Sequence, residues 1–255
     1  MPTIIACFKW VVDEAYIRRA PSGDLDFSSV DYKIGDYDRN AIEEADRLRD
    51  TYSGSAIAVT VGVPEATKGI KDALSRGTDQ AYFIADASFG NLESSQTAAL
   101  LAEVIRTRIQ PYDLIICGEG SSDLYAQQVG PRLAEKLGIP CVSFIQKISI
   151  DGNRVIAERR VEEGIEVIAA PLPVLVTVLP DINVPRIPGV KDTLMASKKP
   201  VVTIKKDELA PISDARLQTV SLKASRMERI CERFGTEAAE INRFMGSLRK
   251  KGVIG

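Results

Sequence analysis

The stretch with the clearest chemical meaning is Cys117-Gly118-Glu119-Gly120-Ser121-Ser122-Asp123-Leu124-Tyr125-Ala126-Gln127-Gln128-Val129-Gly130-Pro131. It follows the apolar run Leu114–Cys117 and leads into a helical pattern. In an open α/β sheet, ligands bind beyond the carboxyl ends of the strands, where helix N-termini direct free N–H groups at them. Gly118 and Gly120 let backbone approach a phosphate closely, and Ser121, Ser122 and Asp123 are helix-capping types. The stretch therefore suits a nucleotide phosphate, or else it is a plain strand-to-helix turn with a good cap. It is not GxGxxG, and the chain contains no GKS or GKT, so Rossmann and P-loop fingerprints are both absent.

Two further strand ends point the same way, Phe8-Lys9 and Val61-Gly62-Val63-Pro64. Lys9 suits balancing a phosphate, or is simply a solvated lysine. Asn40, near the start of the first helix, suits a hydrogen bond to a base or ribose, or a cap. A separate candidate is Asp181-Ile182-Asn183-Val184-Pro185-Arg186-Ile187-Pro188-Gly189, where Ile182, Val184 and Ile187 alternate with polar residues in a proline-stiffened stretch. Such side chains either tuck beneath their own loop or face outward as anchors for a partner protein.

These residues need a frame. Thr3–Phe8, Ala56–Val61, Ala81–Ile84, Leu114–Cys117 and Cys141–Ile145 read as strands buried on both faces. Between them Ala41, Ile42, Ala45 and Leu48 fall at helical spacing, as do Ile70, Ala73 and Leu74, then Ala98, Leu101, Ala102 and Ile105, then Leu133, Ala134 and Leu137. Pro64 before a helix and Gly77 after it are a fitting start and stop. Strand alternating with helix is the pattern of a mostly parallel sheet covered on both faces, so the expectation is a three-layer α/β domain over residues 1–210. Ile148–Ile150, Asp151-Gly152 and Arg154–Val161 predict a hairpin insertion, antiparallel and half exposed, with Ile165–Ala169 as a third strand. Pro171-Leu172-Pro173 leads into another buried strand, Val174–Leu179. Five of the thirteen prolines lie between Pro171 and Pro188, which argues for an ordered extended loop there and against helix. Residues 211–255 form a C-terminal arm. Residues 215–251 carry nine Lys or Arg against four Asp or Glu, and Ile241, Phe244, Met245 and Leu248 make an apolar stripe at i, i+3, i+4 and i+7. A solvated helix packing that stripe on its own domain or a partner is expected before a nucleic-acid or membrane-surface role.

Composition narrows the chemistry. The 255 residues are 45% apolar and 27% charged, with net charge −2, as in a soluble globular chain of one large domain with an appendage. There is no histidine, which removes a Ser-His-Asp triad, a Cys-His pair and imidazole metal sites. Cys7, Cys117, Cys141 and Cys231 form no CxxC, and the first three sit in or beside apolar runs, where buried reduced thiols are expected. No apolar run approaches a membrane span, and Met1-Pro2-Thr3 leads directly into a strand, so the expected location is cytoplasmic.

With these motifs in view, residues 1–210 resemble the beta subunit of electron-transfer flavoproteins. The resemblance rests on Cys7-Phe8-Lys9, Asp38-Arg39-Asn40-Ala41-Ile42-Glu43-Glu44-Ala45, Lys71-Asp72-Ala73-Leu74-Ser75-Arg76-Gly77, the Gly118–Gly130 segment, and Asp181–Arg186 followed by Lys198-Lys199. Gly120–Gly130 is most similar to the branch associated with carnitine reduction and nitrogen fixation. The resemblance implies an adenine nucleotide alpha-hydrolase-like fold and a heterodimer with an alpha subunit that carries its own FAD. It implies FAD in this chain's crevice if the branch is electron-bifurcating, with NADH as hydride donor, and AMP if it is the housekeeping branch. Asn40-Ala41 and Gln128-Val129-Gly130-Pro131 look like the bifurcating pattern. Carried over, the phosphates lie against Gln127, Gln128, Val129 and Gly130, with Gly118, Ser122, Asp123 and Ala126 nearby, and Ala6, Lys9, Asn40, Val61 and Gly62 on the adenine and ribose side. Ile182, Asn183, Val184 and Arg186 match the family's recognition loop for a partner dehydrogenase, with Ile182 at the position of an inserting leucine. The implied partners are an acyl-CoA dehydrogenase or quinone-linked oxidoreductase and, in bifurcation, ferredoxin or flavodoxin. This is an electron-carrier subunit rather than a stand-alone enzyme, since the flavin carries the redox chemistry. A universal-stress-type ATP-binding module is the competing reading from another class, but it has no use for the proline-rich loop, the hairpin or the basic tail.

Overall fold

The computed structural model describes residues 1–20, 22–217, 219–223 and 231–254. They fall into two compact units, Met1–Arg18 with Asp26–Ser221, and Arg19–Leu25 with Leu222–Gly255.

The first unit is built on a nine-stranded sheet. Its elements in chain order are β1 (Thr3–Cys7), α1 (Asp36–Tyr52), β2 (Ser55–Gly62), α2 (Thr67–Ser75), β3 (Gln80–Ala85), α3 (Ser94–Arg108), β4 (Leu114–Gly118), α4 (Val129–Leu137), β5 (Cys141–Asp151), β6 (Arg154–Val161), β7 (Gly164–Pro171), β8 (Val174–Val178), α5 (Val190–Ala196) and β9 (Val201–Lys205). The spatial order is β7-β6-β5-β8-β4-β1-β2-β3-β9. β1 lies between β4 and β2, with Ile4 opposite Ala56 on one side and Leu114 on the other, both parallel. The period-two alternation of these strands sorts their side chains onto two faces. Ile4, Ala6, Ala56, Ala58, Leu114 and Ile116 pack against Ala41, Ile42, Ala45, Ile70 and Leu74 of α1 and α2. Ile5, Cys7, Ile57, Val59, Ile115 and Cys117 pack against Ala98, Leu101, Ile105, Leu133 and Ala134 of α3 and α4. The result is the expected three-layer α/β sandwich.

The antiparallel hairpin and its third strand form as expected, while two other features depart from the sequence expectations. β5 pairs in parallel with β8 at its start and continues antiparallel to β6, so β6 and β7 extend the same sheet. The proline-rich stretch is not extended throughout, because Pro180–Ile182 forms a single helical turn within it. Gly189 precedes α5, its N–H bonded to Asp192 at 2.9 Å, and β9 then adds a parallel edge strand beside β3. Cys141 is exposed, unlike buried Cys7 and Cys117, because it opens β5 rather than lying in its covered middle.

In the second unit, α6 (Ala238–Lys250) presents Ile241, Phe244 and Met245 on an exposed stripe. The Phe244 ring lies 5.4 Å from Phe234, and Arg243 stacks over Phe234. Part of the basic tail read from the sequence, Gln218 and residues 224–230, lies outside the described residues.

Candidate functional site

The order β4-β1-β2 brings three strand ends side by side, so Gly118, Lys9 and Gly62 border one crevice. Ala6 is wholly buried in β1 and Val61 and Gly62 close β2, which leaves Lys9 as the cation at this rim. The Lys9 Nζ pairs with Asp123 at 2.5 Å. Burial alone would raise the Asp123 carboxyl, but the charge and hydrogen bond of Lys9 outweigh it and hold the group below its ordinary value.

The loop from β4 to α4 is folded back on itself. Tyr125 donates its hydroxyl to buried Glu119, and its ring lies 5.4 Å from that of Tyr37. The Glu119 bond, with burial, pushes the Tyr125 hydroxyl up to about 12. Tyr125 and Gln127 have φ of 47° and 56°, in the left-handed region. Each such residue costs about 1–3 kcal/mol and persists only where its surroundings over-determine it, which happens chiefly at binding and active sites.

That strain delivers the chain to the start of α4. The first-turn amides of Val129 and Gly130 have no intrahelical acceptor, and Pro131 carries no N–H. The Gln128 side chain turns away to accept from Arg132 Nε at 3.0 Å, so it does not cap the helix itself. Gly130 allows α4 to sit close against β8, since a Cβ there would be 2.7 Å from Thr177 Cγ2. By the start of α1, where a Cβ on Gly35 would lie 3.5 Å from it, the Ser122 hydroxyl is buried without a hydrogen-bond partner, and Ser122 helps line a cavity of 390 Å³ with Glu14, Asp36, Tyr37, Tyr125 and Pro180. An unpaired buried hydroxyl costs free energy until something fills its valence. An open helix N-terminus, an orphan hydroxyl and a lysine suit a phosphorylated ligand. A larger cleft of 840 Å³, mostly apolar, runs along the ends of β3 and β9, and neither cavity includes the α4 start.

Most of the residues read from the sequence meet here. Gly118, Ser122, Asp123, Ala126, Gln127, Gln128, Val129 and Gly130 follow one another from β4 to α4, and Ala6, Lys9, Val61 and Gly62 stand at the neighbouring strand ends. Asn40 does not turn to the crevice. Its amide donates to the carbonyls of Pro180 and Asn183 and to the Asn183 side chain at 2.9–3.1 Å. Asp36, Tyr37, Asp38, Glu119 and Tyr125 are structural partners of the site to which the sequence had assigned no role.

Asn40 instead begins a clamp on the second candidate segment. Asn183 donates to Asn40 O at 3.0 Å and to Glu44 at 2.9 Å. Arg186 binds Glu43 through both Nε and Nη2 at 2.8 and 3.0 Å, and reaches Asp46 at 2.6 Å. Ile182, expected as the protruding side chain, is only 9% exposed and packs into the α1-side core. The single helical turn Pro180–Ile182 breaks the alternation on which that expectation rested and rotates the side chain inward. Val184 and Ile187 face outward at 90% and 94% exposure, and Val190 and Leu194 of α5, one helical turn apart, are also exposed.

No described helix is long and apolar enough to cross a membrane. The family model described as the electron transfer flavoprotein domain matches residues 24–209. That range holds α1 through β9, and with them the strained loop, the α4 helix start and the clamped segment, so the chain belongs to the electron transfer flavoprotein domain family.

Proposed function

We propose that this chain is the beta subunit of an electron-transfer flavoprotein and that its crevice holds FAD. The observation that carries the reading is the bare N-terminus of α4, pressed onto β8 through Gly130. The backbone of Gln127, Gln128, Val129 and Gly130 would take the phosphates, with Lys9 as counter-charge and Ser122 as a further donor. Ala6, Val61 and Gly62 would border the adenine and ribose. When bound, FAD supplies two-electron acceptance and one-electron release. The residues of this chain bind, orient and shield it, and none need move a proton at its ring. The proposed role is electron carriage from NADH, through an alpha subunit with its own FAD, to an acyl-CoA dehydrogenase or quinone-linked oxidoreductase, with ferredoxin or flavodoxin as the second acceptor in the bifurcating form. The exposed stripe of α6 is the surface offered to the alpha subunit, and the proposed location is the cytoplasm.

A second reading has its own support. The α4 start and Lys9 would serve the single phosphate of AMP as well as the diphosphate of FAD. Releasing and counting the nucleotides of the purified heterodimer decides between them. Two FAD per heterodimer place a flavin in this chain, whereas one FAD with one AMP make it a nucleotide-holding and docking subunit.

Docking gives a separate test. Val184→Asp with Ile187→Asp should weaken electron delivery to the acceptor dehydrogenase at least tenfold in apparent affinity, on the order of 1.4 kcal/mol, while nucleotide content stays unchanged. Ile182→Asp should instead lower the denaturation midpoint, since it buries an unpaired carboxylate in the core. Normal transfer by the double variant would remove this surface from the docking site.

A further inference from the structure

Asp38 lies in the first turn of α1, buried directly behind the crevice. Its carboxylate accepts the Lys9 backbone N–H at 2.8 Å and the Gly118 N–H as well. Gly118 comes so near that a Cβ there would lie 2.6 Å from Asp38 Oδ1. One carboxylate thus laces the loop after β1 to the end of β4, the two strand ends on which the nucleotide reading depends. The nearest cation does not neutralise it, because the Lys9 ammonium is turned to Asp123.

We propose that Asp38 makes nucleotide binding at this crevice proton-linked, so that the negative charge of the ligand is accepted together with a proton on the Asp38 carboxylate. The inference rests on the crevice being a nucleotide site and adds a proton to its binding step. Burial drives the Asp38 carboxyl up to about 7, against the opposing pull of its two N–H bonds and of Lys9. A phosphate brought to the adjoining strand ends adds like charge and raises it further. A group whose pKa rises on binding takes up a proton, so affinity is highest below its free value and falls as pH climbs through it. The other groups facing Asp38 hold their charge in that window. Asp123, on the loop after β4, is held below its ordinary range by Lys9 and stays ionised, while the Cys117 thiol on β4 is pushed up by its contact with Cys7 and by burial and stays neutral. Tyr125, from the same loop, stays neutral with its hydroxyl at about 12.

The test uses the full chain freed of nucleotide and FAD as the probe, whose diphosphate diester does not change charge near neutrality. Isothermal titration in two buffers of different ionisation enthalpy counts the protons exchanged. The expected result is uptake of a fraction of a proton near pH 8, with affinity falling roughly three- to tenfold between about pH 6.5 and about pH 8.5. Asp38→Asn keeps an oxygen acceptor without the charge and should bind with no exchange and a flat pH profile. Wild-type binding of FAD without proton exchange overturns the inference and leaves the nucleotide reading standing. Failure to bind FAD or AMP at any pH overturns both. Because the wild-type measurement decides alone, the outcome does not depend on how well the variant folds.

Discussion

Arg186→Ala should lower the stability of the first unit by about 2 kcal/mol near pH 7 and release the segment that carries Val184 and Ile187. Arg186 closes a two-point fork on Glu43 and reaches Asp46, which is wholly buried. Removing one partner of a buried ion pair typically costs about 3–5 kcal/mol, since the other charge is left without compensation. The expectation here is smaller for two reasons. The Arg186 side chain is 40% exposed, and Arg49 still meets Asp46 at 2.6 Å. The loss should depend on pH. Burial alone would raise the Glu43 carboxyl, but the hydrogen bonds and charge of Arg186 outweigh it and hold Glu43 below its ordinary value. A carboxyl lowered in the folded state stabilises above its unfolded pKa, and that contribution disappears as pH falls through the lowered folded value. Asp46 shifts the other way, raised chiefly by burial despite both arginines, and it would rise further without Arg186. Wild type and variant should therefore differ most near neutrality and converge toward about pH 4 in urea unfolding. Equal midpoints at neutral pH would mean that the fork adds nothing to the fold. Hydrogen exchange across residues 183–190 then tells whether the segment has loosened.

What was legible in the sequence and what was not divides along physical lines. Strands such as Ile4-Ile5-Ala6 and Leu114-Ile115-Ile116 are apolar on both faces, and only a covered parallel sheet satisfies that pattern. The crevice was visible because Gly118, Gly120 and Gly130 stand at fixed distances after such a strand. Ile182 was misleading because one helical turn, set by Pro180, inverts a side chain without leaving a periodic signal. α5 was hidden behind the prolines that precede it, and β9, five residues beside a lysine-rich turn, is too short to stand out. Asn40 carries two amide hydrogens that suit a ribose as well as a carbonyl, and only tertiary contact sends them to Pro180 and Asn183. Asp38 was indistinguishable from an acid placed to favour the helix dipole. Nothing local shows that two strand ends 29 and 80 residues of chain apart from it close over that carboxylate.

Gly130→Val should reduce nucleotide affinity by at least tenfold, roughly 1.4 kcal/mol. A Cβ at Gly130 would stand 2.7 Å from Thr177 Cγ2 and 3.5 Å from Leu175 Cδ2, both on β8, which lies between β5 and β4 in the sheet. Thr177 cannot easily rotate out of the way, because its hydroxyl accepts the Phe144 N–H at 3.2 Å and its side chain is buried. The clash is therefore relieved by lifting the first turn of α4 off the sheet. Overpacking of this kind costs about 1–3 kcal/mol in stability, but the cost to binding is geometric. The amides of Val129 and Gly130 are displaced from the proposed phosphate position, and displacements near 1 Å at such a site are enough to lose its charge-assisted bonds. Gly138→Ala is the matched control. Gly138 ends the same helix at φ 69° with nothing within 4 Å of a Cβ, so its substitution strains the C-terminus by about 1 kcal/mol without touching the N-terminal amides. If the two variants lose stability to a similar degree but only Gly130→Val loses the nucleotide, the helix start is the phosphate site. If both retain it, the phosphates lie elsewhere and the strained loop before α4 serves another end.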